Sequence, residues 1–325
     1  MKKVFIPGGA GYVGTELTEM LIENEYEVTI YDLFIYGDKV KNNKKLKKIK
    51  GDIRDLKKLS ESIKNHDYVI HLSCISNDPS YELNPKLGKS INFDCFEPFV
   101  KLCVENKIKR FIYASSSSVY GIKKEKNVYE DMKLEPLTDY SKYKVLCEKI
   151  LNKYSSEEFV TVNARPSTVC GFGKRQRLDL VVNILTNLAF HKKKIKIFGG
   201  SQLRPNIHIK DMCRSYLCLL EAGTNIINGQ AFNIGFENHS VAELANIVKD
   251  NIDQKIELEK VTTDDNRSYH VSSDKIKKLL NFNTKFTISD AVNELKLAFE
   301  KNYFKDPLNN EDFYNIKKMQ SLNLS

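Results

Sequence analysis

The chain has 325 residues, 41% of them hydrophobic and 29% charged, with a formal net charge of +9. That length and balance fit a globular protein with a large buried core, built as one large or two modest domains. No apolar run approaches the roughly 18 residues of a membrane helix, no leader fits ahead of the first strand, and seven scattered cysteines form no Cys-x-x-Cys, so a reduced cytoplasmic protein is expected rather than a membrane, secreted or zinc protein.

Val4, Phe5 and Ile6 read as a short buried strand, and a glycine-rich turn, Gly8-Gly9-Ala10-Gly11-Tyr12-Val13-Gly14, leads straight into a helical pattern. Glycine lets the backbone turn tightly and approach a ligand, and free N–H groups at a helix start suit a pyrophosphate. Glu27 to Tyr31 is a second strand, closed by Asp32, 18 residues after Gly14. A glycine turn between strand and helix, followed by an acidic residue at the end of the next strand, is the context a dinucleotide fingerprint requires.

The lysine-rich stretch from Lys39 to Lys50 and the run from Lys192 to Lys196 lack the interleaved aromatics of a nucleic-acid module, so they read as solvated faces. Leu46 to Ile49 is a third strand, Leu56 to Lys64 a polar helix and Tyr68 to Leu72 a fourth strand. A long helical pattern covers Asn84 to Lys107 and is expected to break near Pro98. Arg110 to Ala114 is a fifth strand, Tyr140 to Tyr154 a helix and Phe159 to Ala164 a sixth strand. This alternation predicts an α/β fold, a doubly wound parallel sheet whose ligands bind beyond the carboxyl ends of its strands.

After Pro166 the rhythm loosens. Helices are expected over Leu178 to His191, Asp211 to Glu221, Val241 to Asn251 and Ile288 to Lys301, and strands over Ile195 to Phe198 and Ala231 to Ile234. The tail from Asp306 is polar and expected to be peripheral. The division predicted is a cofactor domain over 1–170, completed by segments near 200–235, and a smaller mixed α/β domain over 171–325.

Tyr140 and Lys144 form a Tyr-x-x-x-Lys pair, which a helix places on one face. An ammonium beside a phenol favours the phenolate, so Tyr140 could take a proton from an alcohol. The same spacing also arises on an ordinary solvated helix. Four serines, Ser115 to Ser118, follow the fifth strand and precede Val119-Tyr120-Gly121; one could orient the alcohol, or the stretch could be a turn. The six histidines show no ligand spacing, so no metal is implied. His71, at the end of a buried strand, reads as structural, and Cys74 as a small packing residue.

Taken together and in order, these motifs resemble the extended short-chain dehydrogenase/reductase family, its nucleotide-sugar epimerases and dehydratases. The resemblance also takes in Gly51-Asp52-Ile53, His71-Leu72-Ser73, Asn92, Arg165-Pro166, the segment from Gly199 to Asp211, Phe232-Asn233-Ile234-Gly235 and the segment from Asp265 to Ile276. It implies a Rossmann-like domain with NAD on Gly8, Gly11, Tyr12, Val13 and Gly14. Asp32 would hold the adenosine ribose and disfavour a 2′-phosphate. Asp52 and Ile53 would hold the adenine, and Leu72, Ser73, Cys74, Asn92 and Ser115 would lie along the cofactor. Ser116, Tyr140 and Lys144 would be catalytic, and Tyr140 and Lys144 would also touch the cofactor. Ser76, Ser117, Arg204 and Arg267 would meet a nucleotide-diphosphate sugar, although either arginine could instead be a surface ion pair.

Three departures from the family pattern matter. Pro7 stands where Thr is usual. Ser117 and Ser118 stand where the 4,6-dehydratases carry an acid, so elimination of water lacks its proton donor. Pro166-Ser167-Thr168 replaces a Tyr-Phe-Asn-like stretch, and Ser76 to Ser80 is not the loop usual in the 4-epimerases. The resemblance therefore implies a cytoplasmic NAD enzyme that oxidises C4 of a nucleotide sugar, foremost a 4-epimerase of surface-polysaccharide pathways. A 4-dehydrogenase or 4-ketoreductase would use the same residues, and a non-catalytic NAD-binding regulator could share the fold. A homodimer through the helices at Phe96 to Glu105 and Tyr140 to Tyr154 is also implied.

Overall fold

The computed structural model describes residues 1–263, 268 and 270–324. These residues form twelve strands: β1 (Lys3–Pro7), β2 (Glu27–Asp32), β3 (Leu46–Lys50), β4 (Tyr68–His71), β5 (Arg110–Ala114), β6 (Val160–Pro166), β7 (Thr168–Cys170), β8 (Lys194–Phe198), β9 (Leu203–His208), β10 (Gln230–Ile234), β11 (Glu237–Ser240) and β12 (Glu257–Val261). Seven of them make one sheet in the order β10-β6-β5-β4-β1-β2-β3, with every pairing parallel. Strand order reverses between β1 and β4, the place where doubly wound sheets open a ligand crevice.

The two-residue period of a strand explains how both faces are covered. Val4, Ile6, Val28, Ile30, Ile70 and Ile112 face the helices Tyr12–Glu23 and Ile209–Glu221, meeting Leu17, Leu21, Met212 and Tyr216. Phe5, Tyr31, Val69, Phe111 and Tyr113 point the other way, onto Leu59, Phe96, Phe99 and Leu151 of the helices Leu56–Ser62, Phe96–Glu105 and Asp139–Lys153. Each such side chain contributes about 1.5–3 kcal/mol by leaving water. A rigid, two-sided core thus fixes the strand ends from which the crevice residues project.

The long helical pattern before β5 breaks earlier than expected. Pro85–Lys89 and Phe96–Glu105 are helices, and Ser90–Asp94 between them widens into a π-helical turn. Pro98 is only the third residue of the second helix, where a missing N–H removes no intrahelical bond.

Beyond β6, the strands β11, β9 and β7 form a three-stranded sheet, and β8 pairs with β12. Ile195 and Ile197 of β8 pack under Leu185, Leu244 and Val292 of the helices Val181–Lys192, Val241–Ile252 and Ile288–Glu300. The tail is not peripheral. It carries a helix, Asn315–Leu322, whose Asn315 and Met319 are buried and line the crevice. All seven cysteines are free thiols. No helix among the described residues is long and apolar enough to cross a membrane.

Candidate active site

A cleft of about 540 Å³ opens beyond the carboxyl ends of the central strands. Gly8, Gly11, Tyr12, Val13, Gly14, Asp32, Asp52, Ile53, Leu72, Ser73, Cys74, Ser76, Ser115, Ser116, Ser117, Tyr140, Lys144 and Arg204 all line it. Asn92 does not, and Arg267 lies outside the described residues.

At one end the backbone comes close to itself. Gly8 has φ +82°, and a Cβ there would stand 2.5 Å from the Ser73 nitrogen. A Cβ on Gly14 would stand 2.6 Å from the Gly8 carbonyl oxygen, so the helix packs onto the turn only with glycine there. Gly11 caps the helix Tyr12–Glu23 without any side-chain cap, which keeps the amides of the first turn available to a ligand. The Tyr12 hydroxyl is committed elsewhere: it donates to the Gly171 carbonyl at 2.6 Å. Asp32 accepts from the amides of Ala10 (3.0 Å) and Phe34 (2.8 Å). Burial pushes its carboxyl up, and these amides work against that rise. Each carboxylate oxygen keeps a further lone pair for a ribose hydroxyl. Asp52 sits in an Arg54 fork whose hydrogen bonds hold its carboxyl low. Uncapped amides as donors, a turn of bare glycines and a half-buried carboxylate as acceptor are the groups that NAD requires, and the cleft fits it.

At the other end, Thr138 starts the helix Asp139–Lys153 with a reciprocal capping box to Ser141, placing Tyr140 and Lys144 one turn apart on the cleft wall. The Lys144 ammonium donates to the Ala114 carbonyl at 2.6 Å and stands 4.9 Å from the centre of the Tyr113 ring. Tyr140 is 8% exposed. The expectation that Lys144 draws the Tyr140 phenol down is not met in the ligand-free protein. Burial raises its pKa well above the ordinary value, Cys74 and Asp78 add to the rise, and the Asn77 amide opposes it. Asn77 holds φ +74° and ψ +158°, a region that costs a non-glycine residue about 1–3 kcal/mol. Ser116 accepts the Ser118 amide at 3.1 Å and shares a 2.8 Å contact with the Ser118 hydroxyl, so its oxygen is held at the cleft wall.

Several motif residues brace the site, whether or not they also line it. Ser115 donates to Glu148, and Glu148 receives Arg165 through two nitrogens, Nε at 3.0 Å and Nη2 at 2.7 Å. Arg165 also donates to the Tyr120 hydroxyl (2.8 Å), which in turn donates to Asn233 (2.6 Å). This chain ties the serine loop to β6 and β10. Asn92 clamps both backbone groups of Ile75, at 2.8 and 3.0 Å, and so fixes the loop after β4 from outside the cleft. His71 is buried among aromatic rings, and desolvation drops its pKa to about 3.

Sequence reasoning missed Tyr36, Arg175, Arg177, Asp179 and Asn315, which also line the cleft. Arg175 lies 3.5 Å from the centre of the Tyr36 ring, and Arg177 pairs with Asp179 at 2.9 Å and donates to Ser76 at 3.1 Å. A partial signal existed in Asp179, a charge between Leu178 and Leu180, because a charge in an apolar setting requires a partner; Arg175 and Arg177 lie in a polar run that reads as solvated. Among the described residues no cluster of His, Cys, Asp or Glu is placed to hold a metal.

The family model for the NAD dependent epimerase/dehydratase family matches residues 4–235. The uncharacterized UDP-glucose epimerase YtcB of Bacillus subtilis (strain 168) is 29% identical over 312 residues, covering 89% of this chain and 95% of that protein. A dTDP-D-glucose 4,6-dehydratase of Homo sapiens is 28% identical, covering 75% of this chain and 71% of its own. The crystal structure of UDP-glucuronic acid 4-epimerase from Bacillus cereus, in complex with UDP-glucuronic acid and NAD, superposes with a TM-score of 0.82 at 25% identity, covering 92% of this chain and 99% of that one. With the glycine turn, the Tyr140/Lys144 helix and β10 all inside the matched span, the chain belongs to the NAD dependent epimerase/dehydratase family.

Proposed function

We propose that this NAD-dependent enzyme of nucleotide sugars is a 4-epimerase. One observation carries the reading: Ser116, Tyr140 and Lys144 line the same cleft as the dinucleotide turn, while serines stand at 117 and 118. With its phenol ionised by the Lys144 ammonium together with the positive charge that bound NAD would bring beside it, Tyr140 would take the proton from the ring hydroxyl at C4 and later return it. Ser116 hydrogen-bonds the same oxygen and limits its movement. Gly8 to Gly14, Asp32 and Lys144 hold the cofactor. Bound NAD supplies the acceptor, and then the donor, for the hydride at that carbon. A carbon that takes the hydride back on its other face leaves with inverted configuration, and no proton or electron is gained or lost overall. Ser117 and Ser118 offer no acid for a leaving hydroxyl, which counts against a dehydratase although a dehydratase is among the relatives.

The same reading assigns residues 171–325 the nucleotide-sugar half, with Arg204 toward the diphosphate. It also carries a homodimer through the helices Phe96–Glu105 and Asp139–Lys153, where Val104 and Leu146 remain exposed. The scattered cysteines support a cytoplasmic place for it, and the motif resemblance supports a role in surface-polysaccharide synthesis. The test is to incubate the NAD-loaded protein with UDP-glucose, UDP-N-acetylglucosamine, UDP-glucuronic acid and dTDP-glucose, following absorbance at 340 nm and the sugar by NMR. Inversion at C4 without lasting NADH is expected. Lasting NADH would make it a dehydrogenase, loss of water a dehydratase, and inertness toward all four would overturn the assignment.

A further inference from the structure

Asn315, 6% exposed, bonds through its side-chain oxygen, its side-chain nitrogen and its backbone amide inside the cleft. Its Oδ1 accepts from the Tyr36 hydroxyl (3.1 Å) and from Arg175 (2.6 Å). Its Nδ2 donates to Ser76 (3.1 Å), and its backbone amide donates to the Asp179 carboxylate (2.9 Å). Tyr36 follows β2, Ser76 follows β4, and Arg175 and Asp179 follow β7, so one amide joins three separate loops at the carboxyl edge of the fold. One helical turn later, Met319 is 8% exposed and packs in a cluster with Tyr140, Ile75, Tyr81 and Leu87. The chain end is tied too, by the Asn84 side chain donating to the Leu324 carbonyl at 3.3 Å. A loosely attached tail has no cause to bury an asparagine with four partners, because losing any of them leaves a buried polar group unpaired.

We infer that the C-terminal helix is the sugar-facing wall of the active site, with Asn315 as its positioning residue and Met319 as the side chain that sets how large a ring substituent fits beside Tyr140. This rests on the nucleotide-sugar reading above. The polar half of the wall (Asn315, Ser76, Arg177) is fixed by its own hydrogen bonds. The apolar half ends in a methionine, whose unbranched side chain adapts to what lies against it. Size discrimination therefore falls to Met319, and alignment of the whole wall to Asn315.

The experiment is calorimetric titration of the NAD-loaded protein with UDP, dTDP, UDP-glucose and UDP-N-acetylglucosamine. Met319→Ala is expected to leave nucleoside-diphosphate affinity within about twofold and to shift the ratio of the two sugar nucleotides toward the N-acetylated one by about fivefold to tenfold, the scale of a few methylenes in a pocket. Asn315→Ala is expected to weaken both sugar nucleotides about tenfold while UDP and dTDP bind as before, the size of one or two lost hydrogen bonds. A general loss of folding would lower all four affinities together, and Met319→Ala, which removes no polar partner, still reads the wall. Normal diphosphate binding with an unchanged sugar ratio in Met319→Ala overturns the inference. So does tighter diphosphate binding in Asn315→Ala, which would make the helix a plug. Failure of the unaltered protein to bind either diphosphate overturns the nucleotide-sugar reading itself and this inference with it.

Discussion

Lys144 stands one helical turn after Tyr140, yet its ammonium is bonded to the Ala114 carbonyl and lies 5.6 Å from the centre of the phenol ring. The bond pins the helix Asp139–Lys153 to the end of β5. Lysine has three donors, so two remain for a ligand. The phenol, by contrast, is surrounded by Ile75, Tyr81, Leu87 and Met319 and takes its character from burial.

Tyr140→Phe removes only the hydroxyl and keeps the ring in its apolar cluster. Turnover of a nucleotide sugar is expected to fall about 10²–10⁴-fold, the contribution of a positioned acid or base. NAD released on denaturing the variant should equal that of the parent protein. Undiminished turnover would remove Tyr140 from the chemistry.

In the ligand-free protein the Tyr140 phenol should stay neutral into alkaline solution. Desolvation disfavours the charged form, which for a phenol is the deprotonated one, so the shift is upward. Absorbance titration of the parent protein and of Tyr140→Phe should give difference curves with no step for this residue below about pH 10, the ordinary tyrosine value. A step near neutrality would mean that Lys144 governs it after all.

Glu148→Ala leaves the Arg165 guanidinium buried without its carboxylate, with Arg165 only 5% exposed. Breaking one partner out of a buried pair costs about 3–5 kcal/mol. The urea midpoint should drop accordingly, and removing Arg165 as well should restore part of the loss. A change under about 1 kcal/mol would show the pair to be dispensable.

Gly8→Ala forces a side chain into positive φ and against the Ser73 backbone, where neither strand can yield. The conformation alone costs about 1–2 kcal/mol, and the displaced turn should weaken NAD further. Thermal melting with and without NAD measures both effects. A variant with the parent's NAD-induced shift would mean that the turn tolerates a Cβ.

The sheet was legible because its central strands are apolar on both faces and its helices repeat at 3.6 residues. The glycine turn, Asp32, the serine loop and Tyr140/Lys144 could be read because each is a short local motif. β9, β11 and the C-terminal helix could not. Glu237-Asn238-His239-Ser240 has no apolar residue to mark it as a strand, and it is ordered by antiparallel pairing to β9. Asn315 gains its role from Tyr36, 279 positions earlier, which no local pattern encodes. Asn92 was assigned to the cofactor by resemblance, but its two bonds to Ile75 place it behind the wall.

The strand Gln230–Ile234 covers the β6 edge of the main sheet, and more than sixty residues of other structure intervene before it is made. During synthesis the earlier strands therefore emerge with one row of backbone donors and acceptors unpaired. Such an open border invites pairing with a neighbouring polysome product until the late strand arrives. A fragment of residues 1–170 would keep that border permanently, so it should self-associate unless the segment Gln230–Ile234 is supplied with it.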